Sequence, residues 1–220
     1  MKFKCLIFDL DGTLVDTLQD IALAMNRALV LRGYPPVPPG EYAALIGWGI
    51  RHLAFRVLPA GARDEKNAEA LAADAVRFYA ERPVTHSRPY PGIPAMVAEL
   101  KKRRIKTAVL TNKPDPVTAL VVKGLFPPGS FDVIRGEKPG VPRKPDPAST
   151  WEILTELDRT PRETIFMGDS EIDVETARAA DCHALGVSWG FRDRAVLEAA
   201  GAGRIIDTPG ELLPLMDISM

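Results

Sequence analysis

Phe-Lys-Cys-Leu-Ile-Phe-Asp-Leu-Asp-Gly-Thr-Leu-Val-Asp-Thr, residues 3–17, is an apolar run that ends in two closely spaced acids. The segment from Cys5 to Phe8, followed by an Asp-Gly turn signal, predicts a buried strand. Because side chains alternate along a strand, Asp9 and Asp11 point to the same side. At about 4 Å and an effective dielectric of about 20, two carboxylates repel each other by roughly 4 kcal/mol. Either a cation, a shared proton or a substrate compensates this repulsion, or the acids belong to a solvated turn.

The bulk composition excludes several classes of protein. The chain has 220 residues, with 28 lysines and arginines against 29 acidic residues and a net charge of −1. This balance gives no reason to expect nucleic acid or an anionic membrane as a partner. No apolar stretch reaches the length of a signal peptide core or a membrane span. Cys5 and Cys182 lie beside apolar residues and are predicted to be buried thiols of a reducing compartment, so we expect a cytoplasmic protein.

The chain after the first strand divides into a helical segment and an alternating segment. Residues 15–84 show helical spacing of apolar residues over 18–29, 41–58 and 68–79, although Gly47-Trp48-Gly49 interrupts the second of these segments. Residues 17–82 contain no convincing strand. From residue 85 onward, predicted strands (105–110, 131–135, 163–167, 183–187, 204–206) alternate with predicted helices (93–103, 116–125, 147–157, 172–180, 193–200, 210–216).

Such alternation predicts an α/β fold with a Rossmann-like parallel sheet and helices on both of its faces. The first strand belongs to this sheet. We therefore expect a core of residues 1–14 and 85–220, with residues 15–84 inserted as a separate helical domain after the first strand. The crossings between the two parts are expected near 14–17 and 82–90.

Polar side chains follow the predicted strands at the sheet edge where open α/β sheets bind ligands. Singly, each has an ordinary explanation as a helix cap, a turn residue or a solvated charge. Together they suit phosphoryl transfer to an aspartate, in which a carboxylate attacks phosphorus while a metal ion, a hydroxyl and a lysine hold the phosphoryl group. The residues concerned are Asp9, Asp11, Thr111, Asn112, Lys144, Asp169 and Asp173.

Four segments, in this order, resemble the motifs of the haloacid dehalogenase (HAD) superfamily. They are Phe-Asp-Leu-Asp-Gly-Thr-Leu-Val-Asp-Thr (8–17), Leu-Thr-Asn-Lys (110–113), Arg-Lys-Pro-Asp-Pro (143–147) and Gly-Asp-Ser-Glu-Ile-Asp (168–173). The helical insert resembles the family's type 1 cap. Within the family, Tyr-Pro-Gly-Ile (90–93) and Gly-Val-Ser-Trp-Gly-Phe (186–191) resemble the phosphoglycolate phosphatase branch.

The resemblance implies a role for the first two motifs. Asp9 would be the nucleophile that forms an aspartyl-phosphate, and Asp11 the general acid and base. Thr111, together with the Asn112 amide, would hold the phosphoryl oxygens. Gly12 and Thr13 are expected beside the substrate.

The resemblance also implies a Mg²⁺ site and a catalytic lysine. The metal ligands would be Asp9, the backbone carbonyl of Asp11, Asp169 and Asp173, the last either directly or through water. Lys-Pro-Asp-Pro occurs twice, at 113–116 and 144–147. We assign the catalytic role to Lys144, because the family keeps its lysine in the loop before strand 163–167. Lys138 and Arg143 are weaker alternatives.

The implied activity is that of a Mg²⁺-dependent phosphatase acting on a small phosphorylated metabolite, with 2-phosphoglycolate as the first expected substrate. Arg51 of the cap is either the partner of a substrate carboxylate or a solvated side chain. A pyrophosphatase or another sugar-phosphate phosphatase of the same branch is the main alternative. Gln19 or Asp20 stands where the family's hexose-phosphate mutases carry a histidine, which argues against a mutase.

A signalling receiver domain would be about half as long and would lack the insert. A phosphate-binding protein without catalysis is disfavoured because Asp9 and Asp11 are both present. The sequence leaves a monomer and a homodimer equally open.

Overall fold

A parallel sheet forms the centre of the protein in the computed structural model, which describes residues 3–216. The strands are β1 (Cys5–Phe8), β2 (Val15–Asp16), β3 (Arg88–Pro89), β4 (Lys106–Pro114), β5 (Val133–Glu137), β6 (Thr164–Gly168), β7 (His183–Val187) and β8 (Arg204–Ile206). The α-helices are α1 (Leu18–Leu31), α2 (Ile50–Val57), α3 (Glu65–Glu81), α4 (Ile93–Lys102), α5 (Asp115–Leu125), α6 (Ala148–Glu156), α7 (Glu171–Ala179), α8 (Arg194–Ala200) and α9 (Leu212–Met216). The expected core includes residues 1–2 and 217–220, which lie outside the described residues.

Six strands pair in the order β5-β4-β1-β6-β7-β8, and every pairing among them is parallel. Strand β1 lies between β4 and β6, with Ile7 opposite Ala108 on one side and Phe166 on the other. The predicted α/β fold is confirmed. The carboxyl ends of these three neighbouring strands therefore meet at one edge of the sheet.

The burial of β1 explains why its sequence is a continuous apolar run. All four of its residues are buried, and alternate side chains enter two separate hydrophobic clusters. Leu6 and Phe8 contribute to the larger cluster, and Cys5 and Ile7 to the smaller. Cys5 and Cys182 are both free and buried, as the sequence predicted.

Strand β4 is longer than predicted and carries part of the second motif. It was expected to end at residue 110, but it continues to Pro114, which pairs with Glu137 of β5 after an irregularity that begins at Leu110. Thr111, Asn112 and Lys113 therefore lie on ordered backbone at the strand end.

The predicted helix over 41–58 is wrong in its first half. Only Ile50–Val57 is α-helical. Gly47 and Gly49 have φ angles of 123° and 84°, which are incompatible with a right-handed helix. The segment before α2 is consequently an irregular loop that faces the sheet edge.

The chain leaves and re-enters the core through two short strands that pair with each other. In β2 and β3, Val15 lies opposite Pro89 and Asp16 opposite Arg88, in antiparallel register. The sequence did not predict these strands, because two residues are too few to show a period. Between them, α1 packs against α3 and α2 packs against α3.

The second crossing is fixed by the buried carboxylate of Asp20, which accepts hydrogen bonds from the backbone N–H groups of His86 and Ser87 and from the Ser87 hydroxyl. Asp20 thus has a structural function. No helix among residues 3–216 is both long enough and apolar enough to cross a bilayer.

We expect Asp20→Ala to lower the free energy of unfolding by roughly 2–4 kcal/mol, because it leaves two backbone donors near a buried site without their charged acceptor. Urea denaturation of the two proteins measures this difference. Asp193→Ala is the control, since Asp193 is exposed and makes no capping hydrogen bond, and its effect should stay within about 0.5 kcal/mol. Equal stability of Asp20→Ala and the unmodified protein would contradict this role.

Candidate active site

Three buried carboxylates meet at the carboxyl ends of β1 and β6. Asp9 follows β1, Asp169 follows β6, and Asp173 lies in the first turn of α7. One oxygen from each lies within 4.8 Å of the others. The parallel register of β1 and β6 produces this convergence, because both strands end at the same level.

One ammonium group lies directly against this cluster. Lys144 Nζ is 2.8 Å from Asp9 Oδ1 and 2.7 Å from Asp173 Oδ1, and the lysine side chain is buried. Burial alone would lower the pKa of Lys144, but the carboxylates of Asp173 and Asp9 outweigh it and hold the pKa above its ordinary value. Lys144 is therefore a permanent positive charge beside Asp9.

Asn112 holds the Lys144 loop in place. Its Oδ1 accepts a hydrogen bond of 2.9 Å from Lys144 N, and its Nδ2 donates one of 3.0 Å to Lys144 O. Nδ2 also donates to the Gly47 carbonyl of the inserted segment. The side-chain amide of Asn112 is thus committed to protein contacts, which leaves only its backbone amide for the expected phosphoryl contact.

The acidic cluster carries more negative charge than Lys144 can neutralise. Burial raises the pKa of Asp9, although Lys144 opposes it, and raises the pKa of Asp169, with Asp173 adding to the effect. Oxygen donors from clustered carboxylates are the ligands that Mg²⁺ prefers. The donor set therefore fits a hard divalent cation.

Asp169 is positioned by the turn after Asp11 and by the loop after β7. It accepts hydrogen bonds from Thr13 Oγ1 at 2.9 Å and from the Phe191 amide at 2.7 Å. A Cβ atom on Gly12 would lie 2.3 Å from an Asp169 oxygen, so only glycine fits there. Gly12 and the Thr13 side chain, which we expected beside the substrate, lie against Asp169, and their contact with a substrate stays a prediction.

Asp173 has two functions that use different oxygens. Its Oδ2 accepts hydrogen bonds from the amide and hydroxyl of Ser170, which forms a capping box at the start of α7. Its Oδ1 contacts Lys144. The helix cap thus fixes the rotamer that brings the other oxygen to the cluster.

Asp11 is not part of this cluster and contacts a second lysine. Its carboxylate accepts a hydrogen bond of 2.7 Å from Thr17 Oγ1 and lies 3.1 and 3.2 Å from Lys113 Nζ. Burial would lower the pKa of Lys113, but Asp11 and Tyr79 outweigh it and hold the pKa above its ordinary value. Sequence reasoning assigned Lys113 no function. The repeat of Lys-Pro-Asp-Pro was the sequence signal that could have pointed to Lys113. In the structure, the lysine of each copy contacts one acid of the first motif.

A cavity lies between the sheet edge and the inserted helices. On the core side it is lined by polar residues, Asp9, Asp11, Thr111, Asn112 and Lys113. On the inserted side it is lined mostly by apolar residues, Ile21, Ala24, Ile46, Ile50, Leu53, Ala75 and Val76, together with Tyr79. The cavity is therefore charged at its base and apolar at its roof.

Contacts from the core hold the loop that forms this roof. Arg192, in the loop after β7, donates hydrogen bonds to the carbonyls of Ala43 and Ile46 and forms an ion pair with Glu171 at 3.2 Å. Together with Asn112, it ties the inserted segment to the sheet edge. Sequence reasoning did not single out Arg192.

Arg51 does not reach the cavity. Its side chain is half-exposed, pairs with Glu65 at 3.2 Å, and is absent from the cavity wall. It lies in the first turn of α2, whose buried residues Leu53, Ala54 and Val57 face inward, which leaves Arg51 at the surface. This position matches the alternative of a solvated side chain.

Comparison with known proteins identifies the family. Residues 6–187 match the family model of the haloacid dehalogenase-like hydrolases. A phosphoglycolate phosphatase from Aquifex aeolicus is 31% identical over 214 residues, which cover 97% of each chain. One from Rhodospirillum rubrum is 33% identical over 211 residues, covering 93% of this chain and 87% of the relative.

Solved structures share the fold over nearly the whole chain. A crystal structure from Lactobacillus delbrueckii subsp. bulgaricus has a TM-score of 0.90 and 31% identity, covering 98% of this chain and 99% of the other. That of CbbY from Rhodobacter sphaeroides, in complex with phosphate, has a TM-score of 0.79 and 26% identity, covering 98% of this chain and 100% of the other. Because the family model spans both the sheet edge and the inserted helices of this chain, the chain belongs to the haloacid dehalogenase-like hydrolases.

Proposed function

We propose that this protein is a Mg²⁺-dependent phosphatase that hydrolyses a small phosphomonoester through an aspartyl-phosphate, with 2-phosphoglycolate as its substrate. The proposal rests on the surroundings of Asp9. This residue faces a cavity, contacts Lys144 and lies beside two further buried acids. The relatives from Aquifex aeolicus and Rhodospirillum rubrum are phosphoglycolate phosphatases, and CbbY binds phosphate.

In the first step, an Asp9 carboxylate oxygen attacks phosphorus, and the bond from phosphorus to the ester oxygen breaks. Asp11 donates its proton to the departing oxygen, so that an alcohol leaves. Lys144 offsets the negative charge of the phosphoryl oxygens, and Thr111 holds these oxygens in place. Mg²⁺, bound by Asp9, Asp169, Asp173 and the Asp11 carbonyl, would neutralise the remaining charge on the phosphoryl group.

In the second step, Asp11, now ionised, takes a proton from water. The water oxygen attacks phosphorus and the bond to Asp9 breaks, which releases inorganic phosphate and restores the Asp9 carboxylate and the protonated carboxyl group of Asp11. Thr17 and Lys113 hold Asp11 in place through both steps. The apolar roof of the cavity keeps bulk water away from the phosphorylated aspartate.

The surroundings of Asp20 support a hydrolase over a mutase. Asp20 binds the backbone of residues 86–87 and is buried, so it is not free to act on a substrate hydroxyl. The buried free thiols are consistent with the expected cytoplasmic location.

We expect Asp9→Asn to lower kcat for 2-phosphoglycolate by about 10⁴-fold or more, because the amide cannot form the phosphoaspartate. Phosphate release measures this loss, and circular dichroism checks the fold. Asp64→Asn is the matched control, since asparagine can replace Asp64 as the N-cap of α3. Substantial turnover by Asp9→Asn would refute the nucleophile assignment.

We expect Asp11→Asn to slow both steps, because no proton then reaches the leaving oxygen or leaves the attacking water. Single-turnover experiments should show slower phosphorylation and slower dephosphorylation, each by about 10²-fold or more. An unchanged rate in either step would remove Asp11 from that step.

Stability should depend jointly on pH and on Mg²⁺. The raised pKa values of Asp9 and Asp169 mean that, without a cation, the folded protein holds protons that the unfolded chain releases. Their stabilising contribution is complete below the ordinary carboxylate pKa of about 4 and is lost as pH rises through the raised values. Mg²⁺ competes with these protons and therefore binds more tightly as pH rises.

At a fixed Mg²⁺ concentration of about a hundred times the Kd at pH 8, Mg²⁺ should raise Tm by roughly 5–10 °C at about pH 8. The same concentration should raise Tm by less at about pH 6, where Mg²⁺ binds more weakly. Thermal scanning with Mg²⁺ or with EDTA measures both shifts, and EDTA should also abolish turnover. Asp173→Asn should lose most of the Mg²⁺ response, whereas Asp64→Asn should keep it. A response that is independent of Asp173 would show that Mg²⁺ binds elsewhere.

A further inference from the structure

Lys113 and Tyr79 form a polar pair in the cavity wall. The reaction described above gives this pair no contact with the substrate. Lys113 Nζ lies 4.2 Å from the centre of the Tyr79 ring. Both side chains are more than nine-tenths buried, and both line the cavity. Holding Asp11 accounts for one contact of the lysine and for no contact of the tyrosine.

The Tyr79 hydroxyl makes no hydrogen bond of normal distance and angle with any described residue, although Ser87 and Lys113 are close enough to influence it. Burial raises the pKa of Tyr79, so the hydroxyl keeps a proton that it can donate. Leaving such a buried donor unpaired costs roughly 1–3 kcal/mol. A bound acceptor would recover this free energy.

The rest of the cavity offers no other place for a second anion. Among the described residues that line it, Lys113 is the only one with a positive charge, and the inserted helices contribute apolar side chains. An anion placed against those side chains without a partner would be strongly disfavoured. Among the side chains of the described residues that line the cavity, only Lys113 can therefore form an ion pair with the anionic part of a leaving group.

The position of Lys113 also matches the chemistry of the leaving group. Because Asp11 protonates the ester oxygen in the proposed reaction and touches Lys113, a group that follows this oxygen closely lies within reach of the ammonium. In 2-phosphoglycolate, a single CH₂ separates the ester oxygen from the carboxylate. In pyrophosphate, the second phosphorus carries the leaving oxygen directly.

We propose that Lys113 and Tyr79 bind a compact anionic group on the leaving portion of the substrate, by an ion pair from the lysine and a hydrogen bond from the tyrosine. The group is the carboxylate of 2-phosphoglycolate or the second phosphate of pyrophosphate. This inference rests on the proposed phosphatase function and assigns to the base of the cavity the contact that Arg51 does not make.

A different role for Lys113, as a partner of Asp11 alone, predicts a different result. If Lys113 acts only by holding Asp11, its loss slows every substrate equally. If it also binds the leaving group, its loss slows substrates with an anionic leaving group by an additional factor. Tyr79→Phe separates the two roles further, because it leaves the ion pair with Asp11 intact.

The test compares kcat/KM for 2-phosphoglycolate, pyrophosphate and ethyl phosphate, whose leaving group is uncharged, at saturating Mg²⁺. The unmodified enzyme should prefer one of the two anionic substrates over ethyl phosphate. Lys113→Met should reduce this preference by roughly 10–100-fold, beyond a loss common to all three substrates. Tyr79→Phe should reduce it by about 3–10-fold, mainly by raising KM. Lys102→Met, at an exposed site on α4, is the control and should leave all three values unchanged.

The outcomes separate the two proposals. Equal losses on all three substrates in Lys113→Met, with no effect of Tyr79→Phe on the preference, would overturn the binding role while the phosphatase assignment stands. A preference for pyrophosphate that Lys113→Met abolishes would support the binding role and replace 2-phosphoglycolate as the substrate. Failure of the unmodified enzyme to release phosphate from any of the three would overturn the proposed function, and the binding role with it.

Discussion

The confinement of three carboxylates with one ammonium in a largely buried volume is the constraint on which the site depends. Asp9, Asp169 and Asp173 share one small volume with Lys144, and two of the three acids have raised pKa values. Such a cluster is unfavourable in isolation, because desolvation and mutual repulsion both penalise the ionised acids. It persists because the surrounding backbone leaves these side chains few other positions, and a divalent cation would supply the missing charge.

The surrounding fold meets this constraint by assigning each charged group a separate support. Asp169 is bound by Thr13 and by the loop after β7, Asp173 by its own helix cap, and Lys144 by Asn112. Asp11 is held by Lys113 and Thr17, apart from the cluster. The two acids of the first motif thus have different partners, as the separate roles proposed for them require.

Sequence reasoning predicted the features of the fold and site that follow from the spacing of apolar residues and from the positions of the strand ends. The parallel sheet followed from the alternation of strands and helices, and the convergence of Asp9 and Asp169 followed from the rule that strand ends share one edge. The choice of Lys144 rested on the resemblance to the haloacid dehalogenase superfamily. It could not predict β2 and β3, whose pairing involves two residues each, or the extension of β4 to Pro114, which depends on a partner strand distant in sequence. The outward position of Arg51 could not be predicted either, because the start of α2, and hence the direction of its side chains, depends on two glycines with positive φ. Lys113 and Tyr79 come from the core and the insert respectively, and only the folded structure brings them together.

The pairing of β2 with β3 has a consequence for how this architecture can vary. Since Val15 and Pro89 are neighbours, the chain departs from the sheet and returns to it at almost the same point. The inserted segment between these positions can therefore be lengthened, shortened or replaced without changing the register of any strand in the large sheet. The sheet edge carries the charged groups of the cavity, and the inserted segment supplies most of its apolar wall. The two parts of the chain can therefore diverge at different rates, although they are joined by only two pairs of residues.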